Sequence, residues 1–167
     1  MSPLFITFEG LDGSGKSTHL QRAAEWLAGK GIPCQVTHEP GGTPLGDSLR
    51  AVFLDRRWGA MDGVVELLLV FASRRQHLLA VIEPALKAGR HVLCDRFTDS
   101  TYAYQGAGHG LARETIRRME TLVLDDFRPD LTLILDIPVE QGLARTEGEK
   151  RGTRWVRATP PGDGDAP

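Results

Sequence analysis

The segment Gly10-Leu-Asp-Gly-Ser-Gly-Lys-Ser17 constrains this chain more than any other stretch, because it fits G-x-x-x-x-G-K-[ST] in full. Glycines at these places let the backbone wrap into a nest whose N–H groups converge on a phosphate. A helix that begins at the lysine aims its positive end at the same point. Such a loop works only between a strand and a helix, and the flanks predict both. Leu4-Phe-Ile-Thr-Phe8 is a short apolar, β-branched run that reads as a buried strand. Leu20, Ala23, Ala24 and Leu27 recur at helical spacing, and Gly29 and Gly31 stop them. Gly10, Leu11, Asp12, Gly13, Ser14, Gly15, Lys16, Ser17 and Thr18 are therefore the candidate ATP-binding residues. Lys16 would reach the β- and γ-phosphates, and the Ser17 hydroxyl would ligate Mg²⁺.

The rest of the chain repeats the strand–helix alternation. Pro33 to Thr37 predicts a second strand, and the loop Glu39-Pro-Gly-Gly-Thr-Pro44 leads to a short helix carrying Leu45, Leu49, Val52 and Phe53. Asp62 is placed to cap a long apolar helix running to about Ala88. His91 to Asp95 predicts a third strand, followed by a loop rich in Gly, Ser and Thr as far as Gly110. Ile116, Met119, Leu122 and Val123 mark a further helix, Leu131 to Asp136 a fourth strand, and Val139 to about Thr146 another helix. Strands separated by helices imply βαβ units: an α/β fold of the P-loop NTPase type, three layers deep, with helices on both faces of a parallel sheet. Such sheets hold ligands at the carboxyl ends of their strands. Asp95-Arg96 stands at one such end, where a carboxylate can organise Mg²⁺ and an arginine can neutralise transferring phosphates. Lys16, Asp95 and Arg96 are the candidate catalytic residues, Ser17 and Asp95 the candidate metal residues. Asp136 ends the fourth strand similarly and reads as structural.

A chain of 167 residues with a net charge of −2 fits one globular domain and carries no overall field toward nucleic acid or an anionic membrane. Anions must be held by local cations and backbone N–H groups. The two cysteines, Cys34 and Cys94, match no metal spacing and read as buried structural thiols of a reducing compartment. No targeting segment is visible, so the expected compartment is the cytoplasm.

With these residues in view, the chain resembles the thymidylate kinase family. The resemblance rests on Phe8-Glu-Gly-Leu-Asp-Gly-Ser-Gly-Lys-Ser-Thr18, Glu39-Pro-Gly-Gly-Thr43, Asp95-Arg-Phe97, Ser100-Thr-Tyr-Ala-Tyr-Gln-Gly106 and Arg128-Pro-Asp-Leu-Thr-Leu133. It implies transfer of the ATP γ-phosphoryl group to dTMP, with Mg²⁺, in a homodimer that binds neither nucleic acid nor membrane. Carried onto this sequence, Asp12 would bond the sugar 3′-hydroxyl, and Arg96 with Arg50 would hold the monophosphate. Phe71 would stack on thymine, Arg74 rather than Arg75 would bond its carbonyl edge, and Thr101 and Gln105 would add polar contacts. Tyr104 would lie against the deoxyribose and reject ribose. Phe71 and Arg74 are three apart on a helix and so share a face. A deoxynucleoside kinase also pairs a P-loop with an Asp-Arg motif, but the Glu39-Pro-Gly-Gly-Thr loop and the Tyr-Gln-Gly segment argue against it. A GTPase would need an Asn-Lys-x-Asp signature, which does not occur.

Composition changes after Thr146, where Gly, Arg and Pro replace periodic apolar residues. The expectation is a kinase domain over 1–146 that lacks the lid and the final edge strand, with a disordered tail over 147–167. Lys150, Arg151, Arg154 and Arg157 imitate lid arginines without the helix that should follow. Such a composition suits out-of-frame reading of a GC-rich gene, and would leave a nucleotide-binding protein with impaired turnover.

Overall fold

The computed structural model describes residues 2–148. Its centre is a four-stranded parallel sheet in the order β2-β3-β1-β4. The strands are β1 (Phe5–Gly10), β2 (Cys34–His38), β3 (His91–Asp95) and β4 (Leu131–Leu135). Register aligns Phe8 with Asp95, His38 with Asp95, and Gly10 with Leu135. The loops that follow β1, β2 and β3 therefore leave the sheet side by side. This juxtaposition places the three motifs read from the sequence at one edge. Among the described residues β4 is an edge strand and is exposed along much of its length.

Side-chain alternation explains why both faces are covered. Phe5 of β1 joins Val92 and Cys94 of β3 on one face, with Leu78, Ile82, Ala85, Phe97 and Leu124. Phe8 and Leu93 point the other way, onto Leu20 and Ala24 of α1 (Lys16–Gly29). The first face is closed by a π-helical turn (Leu78–Ile82), α4 (Glu83–Lys87) and α6 (Arg113–Leu124). Phe5 meets Phe97 edge-on at 5.0 Å and stacks on Phe127 at 5.4 Å, which anchors the chain just after Arg96. Truncating Phe5 to Ala would cost about 3–5 kcal/mol. Cys94 is fully buried as expected, whereas Cys34 is only partly so.

The long helix predicted from Asp62 is there, with a local distortion. The Asp62 carboxylate accepts from the N–H groups of Val64 and Val65, capping α3 (Gly63–His77). The chain then widens into the π-helical turn before α4, next to Pro84, which has no N–H to give. Thr43 caps α2 (Pro44–Leu54) by accepting from the Gly46 N–H, with Pro44 at the first helical position.

The stretch expected as a loop up to Gly110 is largely helical instead. It forms α5 (Thr98–Thr101) and a second π-helical turn (Tyr102–Gly108). Composition misleads here because the cap comes from far away. Glu9 accepts from the Phe97 N–H at 2.7 Å and from the Ser100 hydroxyl at 2.6 Å. Helical spacing then puts Thr101, Tyr104 and Gln105 on one face, while Tyr102 turns away to Glu120 of α6.

The last described element, α7 (Val139–Gly148), docks against the P-loop. Arg145 donates to the Gly13 carbonyl at 3.0 Å. A Cβ on Gly13 would meet the Gly142 carbonyl oxygen at 2.5 Å, so only glycine permits this approach. The tail beyond Gly148, with its four basic residues, lies outside the described residues. No helix among the described residues is long and apolar enough to cross a membrane.

Candidate active site

The P-loop takes the shape its glycines allow. Gly10, Gly13 and Gly15 have φ of 137°, 78° and 90°, and Gly15 is the residue from which α1 starts. Lys16 folds back over the loop, donating to the Leu11 carbonyl at 2.8 Å, with Asp12 at 3.9 Å. Burial lowers its pKa, and the nearby Arg96 charge lowers it further against the pull of Asp95, Asp12 and Glu9. Leu11, Ser17 and Thr18 are exposed at the mouth, and the Ser14 hydroxyl is buried without a partner.

Ser17 donates to one Asp95 carboxylate oxygen at 2.7 Å. The other oxygen, Oδ1, is buried and accepts from no donor among the described residues. An orphaned carboxylate oxygen beside a serine hydroxyl fits a hard divalent cation such as Mg²⁺, which prefers oxygen donors. No cluster of three His, Cys, Asp or Glu side chains occurs among the described residues. A cation here would therefore complete its shell with water and phosphate oxygens, as Mg²⁺ commonly does.

Arg96 is held in a left-handed conformation, φ 72°, unusual for a residue with a side chain. Its N–H donates to the Phe8 carbonyl, one guanidinium nitrogen donates to Ser100 at 2.9 Å, and the other pairs with Asp12 at 2.5 Å. Asp12, expected to meet a sugar hydroxyl, instead closes an ion pair across the mouth, because β1 and β3 bring the two charges together. The Arg96 guanidinium lies 5.3 Å from the centre of the Tyr104 ring, and burial raises the Tyr104 pKa. Arg50 donates to the Pro40 carbonyl at 2.8 Å, and its pKa is lowered by burial and by Arg96. Arg96 thus repels both Lys16 and Arg50, and the three cations together suit a place that accepts an anion.

Behind this cationic mouth lies a narrow cleft. Its walls include Glu39, Pro40, Arg74, Arg96, Thr101, Tyr104 and Gln105. Arg74 is 2% exposed and donates to Glu39, to the Phe97 carbonyl and to Thr101. Arg75 points outward and donates to the Val123 carbonyl, so the choice of Arg74 over Arg75 agrees with the geometry. Gln105 donates to Glu66, which also pairs with His109.

Three of the substrate residues read from the sequence, Asp12, Arg50 and Phe71, are not part of the cleft wall. Phe71 is packed with Leu67 and Ile116 between α3 and α6, and its ring lies 4.8 Å from the Arg74 guanidinium carbon. Val70 takes the wall position next to it. Arg50 stands beside the phosphate end and not in the wall. Sequence reading also gave no role to Glu9, Glu39, Ser100 or His77. Glu9 and Glu39 stand inside quoted motifs, but nothing local says what they hold.

Residues 8–156 match the family model for thymidylate kinase, so the match continues past residue 146. A thymidylate kinase of Pseudomonas fluorescens strain Pf0-1 is 56% identical over 155 residues, covering 93% of this chain and 74% of that protein. One from Ectopseudomonas mendocina strain ymp is 54% identical with the same coverage. Among solved structures, the thymidylate kinase of Ehrlichia chaffeensis superposes with a TM-score of 0.74 at 39% identity, covering 89% of this chain and 80% of that one.

Proposed function

The chain belongs to the thymidylate kinase family, and we propose that it transfers the γ-phosphoryl group of ATP to dTMP, giving ADP and dTDP on the route to dTTP. One observation carries the reading: a P-loop lysine, a Ser17–Asp95 pair and Arg96 meet at adjacent strand ends, in front of a cleft walled by Arg74 and Gln105. A cationic mouth with a narrow cleft behind it, walled by Arg74, Thr101 and Gln105, suits a nucleoside monophosphate.

The chemistry asks the protein for position and charge. The P-loop N–H groups and Lys16 would cradle the β- and γ-phosphates, stabilising charge that moves toward the bridging oxygen. Ser17 and Asp95 would hold Mg²⁺, which when bound screens the phosphates. Arg96, aided by Arg50, would align the dTMP phosphate for in-line attack. That acceptor oxygen is already anionic, so no general base is needed. Asp12 would trade its bond to Arg96 for the 3′-hydroxyl. Arg74, Thr101 and Gln105 would read the base, with Phe71 packed behind Arg74 and not against the base. Tyr104 would lie on the sugar.

The protein is further proposed to act in the cytoplasm as a homodimer. Val64, Val65 and Leu68 form an exposed apolar row on α3 that a second copy could cover.

A coupled assay of ADP release with ATP, Mg²⁺ and dTMP, with dUMP, dCMP and thymidine as comparisons, tests the proposal. Turnover selective for dTMP is expected. Folded, ATP-binding protein that ignores dTMP, or that prefers the unphosphorylated nucleoside, would sink it.

A further inference from the structure

Glu39 is almost fully buried, and each of its oxygens has one donor. Arg74 Nε donates to Oε2 at 2.6 Å, and His77 Nδ1 approaches Oε1 at 2.9 Å. Burial by itself would raise the Glu39 pKa, but the Arg74 charge and the His77 hydrogen bond outweigh it and hold the carboxyl below its usual range. An ionised carboxylate only accepts, so the His77 proton must sit on Nδ1. Nε2, on the other side of the ring, shares a hydrogen bond of 2.5 Å with the Thr37 hydroxyl. The Thr37–His77 and His77–Glu39 hydrogen bonds lead to the Glu39 carboxylate, onto which Arg74 donates from the other side.

The far end of that chain is unfinished. Arg74 has five N–H donors. Nε is taken by Glu39, and Nη2 is taken by the Phe97 carbonyl and Thr101, both at 3.0 Å. Nη1 is buried in the cleft wall with no partner among the described residues. The rings of Phe71 and Phe97 lie 4.8 and 5.0 Å from the guanidinium carbon and limit its tilt. If His77 did not hold Oε1, that oxygen could swing onto Nη2 and form an ordinary side-on carboxylate pair. Nη2 would leave Thr101 and Phe97, and the plane carrying Nη1 would turn. The chain is packed without slack, since a Cβ on Gly42 would lie 2.7 Å from both His77 Nε2 and Thr37 Oγ1.

We infer that His77 is a positioning residue for base recognition, holding Glu39 through the Thr37–His77–Glu39 chain so that Arg74 presents Nη1 to a carbonyl oxygen of the base. The inference rests on the reading that Arg74 meets the base of dTMP. A guanidinium offers donors only, so a well-aimed Nη1 favours a pyrimidine with an acceptor at its 4-position over one carrying an amine there. His77 touches no substrate and acts on selectivity through two intermediaries.

The test compares wild type with His77→Leu, His77→Asn and Thr37→Val. It measures dTMP and ATP dissociation constants by calorimetry, KM and kcat, dTMP-over-dCMP preference, and thermal midpoint. His77→Leu should raise the dTMP Kd and KM roughly tenfold, the scale of one charge-assisted hydrogen bond, and narrow the preference for dTMP. ATP affinity should stay near wild type. His77→Asn places an amide donor where Nδ1 was and should recover most of the loss. Thr37→Val, nearly isosteric, should shift dTMP affinity in the same direction by a smaller factor, and it carries the test if His77→Leu does not fold. A lowered midpoint with wild-type dTMP affinity and dCMP discrimination in these variants would overturn the inference, as would an Asn variant no better than Leu. Wild-type protein that binds ATP but not dTMP would instead overturn the substrate assignment.

Discussion

Gly42→Ala and Gly89→Ala form a matched pair that isolates how tightly the Glu39 loop is packed. Both glycines are left-handed, with φ of 76° and 75°, so a side chain at either meets the same backbone strain. That strain is about 1–2 kcal/mol. The surroundings differ. Nothing lies within 4 Å of a Cβ at Gly89, whereas one at Gly42 would meet His77 Nε2 and Thr37 Oγ1 at 2.7 Å and His77 Cδ2 at 2.8 Å. His77 is fully buried and bonded at both nitrogens, so it cannot yield cheaply. Forcing it aside adds about 1–3 kcal/mol of overpacking and about 1 kcal/mol for a strained hydrogen bond. Gly42→Ala should then cost about 3–6 kcal/mol against about 1–2 for Gly89→Ala. In a domain of this size each kcal/mol lowers the melting temperature by about 2–4 °C, so the expected drops are roughly 10 °C and 3 °C. Calorimetry with chemical denaturation reads both. Equal drops would show that the loop relaxes freely and that the packing around His77 is soft. An unchanged midpoint in both variants would refute the strain estimate itself.

Lys16→Ala should cut kcat by about 10²–10³-fold, the scale for removing one preorganised charge from a transition state, while circular dichroism stays native; an active variant would refute the P-loop assignment. Arg74→Leu should raise KM for dTMP strongly, whereas Arg75→Leu, which loses one exposed bond to the Val123 carbonyl, should leave KM unchanged and cost about 1 kcal/mol of stability. Matching kinetics in the two would refute the cleft geometry. Acid titration should show two opposed carboxylates. Glu39 has a folded pKa below its reference of 4.5, so its contribution is full above that pH and is lost as pH falls through the lower folded value. Glu9 is raised above 4.5 by burial, so the folded chain keeps its proton longer and stability declines as pH rises through the raised value. Glu9→Gln should flatten that decline in melting temperature, and an unaltered slope would refute the assignment to Glu9.

What the sequence made legible was what short-range chemistry decides. The P-loop is written in consecutive residues, because its conformation needs glycine at particular φ values and its lysine at the helix start. The Asp62 cap is local too, as its carboxylate bonds N–H groups two and three residues on. The region from Thr98 to Gly108 escaped because its helix is started by Glu9, 88 residues before Phe97, and Gly, Ser and Thr otherwise read as loop. Phe71 shows a different limit. Helical spacing puts it near Arg74 correctly, but Ile116 on α6 decides that its ring is buried between helices while Val70 takes the wall. Glu39 and His77 stand 38 residues apart, on a loop after β2 and at the end of α3. Neither shows its use in its own surroundings, since a glutamate before Pro-Gly-Gly reads as a turn and a histidine on an apolar helix as core. Only the meeting of β2, β3 and α3 turns them into a fixed acceptor for Arg74. Chemistry carried by a pair of residues is invisible until the fold has chosen the pair, and for that reason the nucleoside end of this site was harder to read than its phosphate end.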